Sequence, residues 1–127
     1  MSHRAMRVAE SIKNEVGLML LHRLKDTRIP SERVSVIKVD VSGDLRHATI
    51  YVSVLGDDEQ KQQALQGLRS AAGYVRSSLG KVLQLRSTPE VHFKLDHSLE
   101  EAANIYALLN RISQEQKESA AGDEPAG

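Results

Sequence analysis

Residues 65–86 read LQGLRSAAGYVRSSLGKVLQLR, and this stretch decides the architecture. Its apolar positions Leu65, Leu68, Ala72, Val75, Leu79 and Val82 recur at alternating steps of three and four, which lays one stripe along a helix. The stripe passes Gly73 without losing phase, so the helix either continues through a weak point or bends there. Beside the stripe fall Arg69 and Arg76, seven residues apart, with Gly73 and Gly80 at the same spacing. Ser70, Ser77, Lys81 and Gln84 lie further round. No Asp or Glu occurs between Glu59 and Glu90, while Lys61, Arg69, Arg76, Lys81 and Arg86 all do. The chain has 17 basic and 17 acidic residues, and its net charge of zero hides this asymmetry. A neutral protein can still present one strongly basic face.

Working outward, Thr88-Pro89 breaks the helix. Val91, Phe93 and Leu95 then alternate with His92 and Lys94, as in a strand with one wet face. Ser98-Leu99-Glu100-Glu101 fits a capping box with Ser98 at the cap. A final helix follows, carrying Leu99, Ala102, Ala103, Ile105, Tyr106, Leu109 and Ile112. Upstream, Gly56-Asp57-Asp58-Glu59 is a loop and a helix start, with acids suited to the helix N-terminus. Ala48, Ile50, Val52 and Val54 alternate with Thr49, Tyr51 and Ser53. Before them, Ile37, Val39 and Val41 oppose Lys38 and Asp40. The short Ser42-Gly43-Asp44 turn joins the two runs as a hairpin. The first helix runs from about Ala5 to Lys25, with Met6, Ala9, Ile12, Val16, Met19 and Leu20 on its apolar side and Ser2 as its candidate cap. Lys25-Asp26-Thr27-Arg28 and then Pro30 end it. The order α-β-β-α-α-β-α predicts an α+β fold, a three-stranded sheet with helices packed on one face. One domain is expected over residues 1–116. Residues 117–127 turn to Ser, Ala, Gly, Glu, Asp and Pro and are expected to be a disordered tail.

Composition removes several function classes. Cysteine is absent, so there is no disulfide framework, thiolate metal site or cysteine nucleophile. That usage is compatible with a cytoplasmic protein. No apolar run is long enough to cross a bilayer, and the basic start continues into an amphipathic helix rather than a signal peptide. No tight metal motif is present: His92 is expected on an outward strand position and His97 in a loop, so no metal or cofactor is expected. Asp96-His97-Ser98 contains triad residue types, but adjacent residues cannot form a triad. No nucleotide-binding glycine loop occurs. An enzyme acting on RNA would need a convergent acid–base or metal set, and none is visible.

The acid-free helical stretch suits phosphate. Arg makes paired, charge-assisted bonds to phosphate oxygens, and glycine lets a nucleic-acid backbone approach closely. A break at Gly73 would also free the first amides of the following helix, which attract anions. The competing reading is that both glycines merely admit a neighbouring element and that the basic residues are a solvated face. Arg4, Arg7, Lys25, Arg28 and Arg46 are further candidates, each with an ordinary capping or solvation role as its alternative. With one Phe, three Tyr and no Trp, stacking platforms for single-stranded RNA are few.

Taken in order, a set of segments resembles the ribosome-binding factor A family of bacterial small-subunit assembly factors. These are Arg7-Val8-Ala9-Glu10, Lys25-Asp26-Thr27-Arg28-Ile29, Val34-Ser35-Val36, Val39-Asp40-Val41-Ser42, Asp44-Leu45-Arg46-His47-Ala48 and Tyr51-Val52-Ser53. They continue with Ala71-Ala72-Gly73-Tyr74-Val75-Arg76, Leu79-Gly80-Lys81, Leu85-Arg86, Pro89-Glu90-Val91, Phe93, Asp96 and Ser98-Leu99-Glu100-Glu101. The resemblance spans about Arg4 to Ile112. It implies a type II KH-like fold whose Gly-x-x-Gly clamp is replaced by an Ala-x-Gly kink, here Ala71-Ala72-Gly73. It also implies binding to small-subunit ribosomal RNA in immature particles, help in late maturation including processing of the rRNA precursor's 5′ end, and a role in cold growth, without RNA cleavage by the protein itself. The chain departs from the family at Thr27, where Pro is common. On this reading the RNA-binding set is Arg4, Arg7, Lys25, Arg28, Arg46, Arg69, Gly73, Arg76, Ser77, Gly80, Lys81 and Arg86, on a monomer. The alternative is a protein-interaction module that recruits other assembly factors.

Overall fold

In the computed structural model, residues 3–22 and 28–123 are described, with side chains up to residue 119. The chain forms two compact units, Met1–Asp96 and His97–Gly127. The first contains α1 (His3–His22), a 3-10 turn (Ser31–Arg33), β1 (Val34–Val41), β2 (His47–Val54), α2 (Asp58–Ser70), α3 (Ala72–Leu83) and β3 (Glu90–Leu95). The second is α4 (Ser98–Asp123). The α+β order is the one the sequence predicts.

The sheet order is β1-β2-β3. β1 and β2 pair antiparallel through the hairpin, and β3 lies parallel to β2, with His47 opposite Glu90 and Thr49 opposite His92. One face of β2 is continuous core: Ala48, Ile50, Val52 and Val54 are all buried. From β3, Val91 and Phe93 join them. Burying an aromatic or branched side chain contributes about 1.5–3 kcal/mol, so this alternation pins the register. α1 packs against β1 and α3, and α2 and α3 pack against β3. The other face of the sheet carries His47, Thr49, Tyr51, Glu90, His92 and Lys94, none of them buried.

Three details differ from the periodicity reading. In α1 the buried face begins at Ala5 and Val8, and Met6 is exposed. In β1 the register shifts between Val36 and Lys38, which makes Ile37 the extra residue of a bulge. Val34 and Val41 are therefore buried although they are an odd number of residues apart, and Ile37 is exposed rather than inward. In α3 the stripe continues through Val75, Leu79 and the partly buried Leu83, while Val82 is exposed. The helix restarts at Ala72 after a break at Ala71, and the stripe then steps by four.

α2 opens with a reciprocal capping box: the Asp57 carboxylate accepts from the Gln60 amide, and the Gln60 side chain accepts from the Asp57 amide, both at 2.8 Å. α2 and α3 meet at Ala71, whose φ and ψ of −86° and −3° take it just off helical geometry. Its amide is shared between the carbonyls of Gly67 and Leu68, both at 3.0 Å.

α4 makes up nearly all of the second unit. Its first carbonyl bond runs from the Glu101 amide to His97 at 2.8 Å, and the His97 ring meets Glu100 at 3.2 Å. The cap position is thus His97, one residue before the expected Ser98. The helix continues to Asp123, through part of the stretch expected to be disordered from residue 117. The run Gln114 to Ala121 consists largely of good helix formers, which explains the extension. Ser2, Lys25 and Thr27 lie outside the described residues.

Candidate nucleic-acid interface

The hairpin turn holds Arg46 outward. The Leu45 amide donates to the Ser42 carbonyl at 2.9 Å, and Leu45 takes a left-handed φ of 61°. The Asp44 carboxylate accepts from the Ser42 hydroxyl at 2.7 Å and from the Arg46 amide at 3.1 Å. These two bonds, the hydroxyl first, hold the Asp44 carboxyl below the ordinary carboxylate range. Its other oxygen lies 3.9 Å from the Arg46 guanidinium, whose side chain is 80% exposed. The Arg46 carbonyl accepts the Glu90 amide at 2.8 Å and so starts β3 beside the turn.

On the helical side, Arg76 and Gly80 grip the segment that leads into β3. The Arg76 guanidinium donates twice to the Thr88 carbonyl, at 3.3 and 3.1 Å. A Cβ on Gly80 would stand 2.8 Å from the Thr88 hydroxyl. Gly80 is therefore packed against Thr88. A Cβ on Gly73 would meet nothing within 4 Å, so Gly73 faces open space beside the helix break.

This scaffold brings arginines together from distant parts of the chain. Arg4 of α1, Arg46 of the hairpin and Arg86 beyond α3 line one depression of about 310 Å³ with Asp44, Leu45, Leu85 and Ser87. A second depression, of about 480 Å³, shares Arg46 and Ser87 and adds Arg76, His47, Thr88 and Glu90. Asp44, the acid of the first, is already bound to the turn. Arg69 stands apart: it lines a hollow at the β3 edge with Ala72, His92 and Lys94. The eclipsed pairing of Arg69 with Arg76 expected from a continuous helix is broken at Ala71. Arg28 lines a hollow with Arg33, Val54, Leu55, Gln60 and Gln63, by the far end of β2. Arg7, Ser77 and Lys81 are exposed on α1 and α3 and line neither arginine depression. Lys25 is outside the described residues.

Sequence reading did not bring His47 and Glu90 to His92. The parallel register of β2 and β3 does so, placing the three side chains together on the outer face. Period-two patterning puts each on that face, but only knowledge that β3 joins β2 in parallel would have paired them.

The sequence profile of ribosome-binding factor A matches residues 4–109. The chain belongs to the ribosome-binding factor A family. A Trichodesmium erythraeum member is 52% identical over 117 residues, covering 92% of this chain and 85% of the relative. The solution structure of a Thermotoga maritima protein assigned to ribosome binding factor A is 30% identical, with TM-score 0.65, over 74% of this chain and 88% of that one. A homology model of the Thermus thermophilus ribosome binding factor A, fitted into a map of a 30S complex, is 20% identical, with TM-score 0.55, over 77% of this chain and 97% of that one; at that identity it shows the fold alone. The order α-β-β-α-α-β is the one observed here, and Ala71-Ala72-Gly73 stands at the junction of α2 and α3. Among the described residues, no helix is long and apolar enough to cross a membrane.

Proposed function

We propose that this chain is a non-catalytic assembly factor that binds the immature small ribosomal subunit through its rRNA. On this reading it assists late maturation, including 5′-end processing of the small-subunit rRNA precursor, and nucleases make the cuts. It acts as a cytoplasmic monomer, with its greatest demand in the cold. The observation that carries the reading is the convergence of Arg4, Arg46 and Arg86, from three separate elements, around one depression. Their guanidinium groups suit phosphates held at fixed spacing on a folded RNA. The one Phe of the chain, Phe93, is buried, which leaves only tyrosines to stack on bases; so few platforms favour recognition of shape over single-stranded sequence.

The test is charge reversal at exposed positions. Arg46→Glu with Arg86→Glu is expected to abolish co-sedimentation with immature small subunits while the circular dichroism melt stays within about 0.5 kcal/mol of the parent, as surface changes do. Undiminished co-sedimentation of the folded double variant would sink the reading. A protein-recruiting module predicts association that barely responds to salt; phosphate binding predicts the reverse.

A further inference from the structure

The outer face of the sheet contains a group of side chains that the RNA reading does not use. His47 of β2 and Glu90 and His92 of β3 each offer one donor atom, and these atoms lie within 4.8 Å of one another. His47 Nδ1 lies 3.3 Å from His92 Nε2 and 3.6 Å from a Glu90 carboxylate oxygen, which is 3.7 Å from His92 Nε2. The two rings are tilted by 32° with centroids 5.5 Å apart.

His47 and His92 share a hydrogen bond, and the three separations also fit a metal. Zinc binds imidazole nitrogen at about 2.0–2.1 Å and carboxylate oxygen at about 2.0–2.2 Å, so two ligands of a tetrahedral site stand roughly 3.3–3.6 Å apart. The point equidistant from the three donor atoms here lies about 2.0 Å from each, inside that bonding range. No side chain has to move far to accept an ion. As hydrogen bonds, by contrast, the two contacts to Glu90 are too long.

We infer that His47, Glu90 and His92 form a surface site for a divalent transition ion, with Zn²⁺ the best fit, three protein ligands and a fourth position open to water. Two imidazoles and a carboxylate favour zinc and its borderline neighbours over Mg²⁺ or Ca²⁺, which take oxygen ligands. Binding sets the tautomers: His47 keeps its proton on Nε2 and His92 on Nδ1, and the facing nitrogens donate their lone pairs to the ion. The backbone already holds the set in place, because Glu90 and His92 sit on one strand and His47 is opposite Glu90 in the register. The side chains are 54%, 56% and 47% exposed, so an ion reaches them without opening the fold. Arg46 and Arg76 line the same depression as His47 and Glu90, and Arg69 and Lys94 lie near His92. These cations oppose a dication, and the Glu90 charge offsets part of that.

The experiment is a Zn²⁺ titration of the full chain followed by the imidazole proton signals and by calorimetry. The expected result is one equivalent bound, with the His47 and His92 signals shifting together. His47→Ala and His92→Ala should each weaken binding by at least about tenfold, and Glu90→Gln should weaken it too. His97→Ala should leave it unchanged, because the His97 ring is bonded to Glu100. All three ligands are exposed, and circular dichroism of each variant checks that the fold is retained. Binding of equal strength in the His47 and His92 variants, or no saturable binding in the parent, overturns the site. Loss of rRNA binding in other variants would leave this result untouched, since the readout is the ion alone.

Discussion

Asp44 shows how one carboxylate can serve structure while the cation beside it stays open to a ligand. It ties the Ser42 hydroxyl and the Arg46 amide together, so the turn is closed and the Arg46 side chain points to solvent. The carboxyl is held below the ordinary range in the folded chain. A group lowered by folding stabilises the fold above its unfolded value of about 3.9, and that contribution is lost as pH falls through the lowered folded value. The Arg46 amide signal should therefore titrate with a midpoint below about 3.9. Asp44→Asn should remove that titration and speed exchange of the Arg46 amide at neutral pH. A midpoint at or above the unfolded value would contradict this account of the turn. Asp44 reads as turn chemistry from Ser42-Gly43-Asp44 alone; the partners that lower its carboxyl do not, because they depend on the positive φ of Leu45.

At the scale of elements, α3 separates two glycines that look equivalent in sequence. Gly80 is pressed against Thr88, whose carbonyl Arg76 also holds. Gly80→Ala must push Thr88 aside and should cost about 1–3 kcal/mol, as overpacking does. Gly73 is in the first turn of the same helix with open space around it, so Gly73→Ala should raise stability by about 0.4–1 kcal/mol through the unfolded chain. If RNA backbone approaches there, the same variant should bind immature subunits more weakly while melting higher. Denaturant melts of the two variants check the stability signs. Equal effects at both positions would mean that the Thr88 contact does not govern Gly80. The elements themselves were legible because the apolar spacing is strong in each. The inward face of β1 was not, since the bulge at Ile37 changes phase in mid-strand. The end of the α3 stripe was missed for a similar reason: period counting assumes one unbroken helix, and Ala71 breaks it.

For the whole molecule, Arg4, Arg46 and Arg86 gather around one depression of the first unit, while Arg69 and Lys81 are exposed on the helix pair. Charge counting located the acid-free interval and, with Arg4 and Arg46, the arginines that line that depression. It could not show that the first helix, the hairpin turn and the segment after α3 meet, because that follows from α1 and α3 packing on one face of a sheet. Arg69, Arg28 and Arg76 illustrate the other side: equal in sequence, they face a strand edge, a separate hollow and a backbone carbonyl. The measurement that tests the central claim most directly is the salt dependence of binding to immature small subunits, for the parent and for a variant with Arg4, Arg46 and Arg86 all changed to Gln. Each phosphate contact contributes roughly 0.7–0.9 to the slope of log affinity against log salt. The account predicts a steep parent slope, reduced by about 2–3 in the triple variant. Parallel slopes for the two proteins would contradict it.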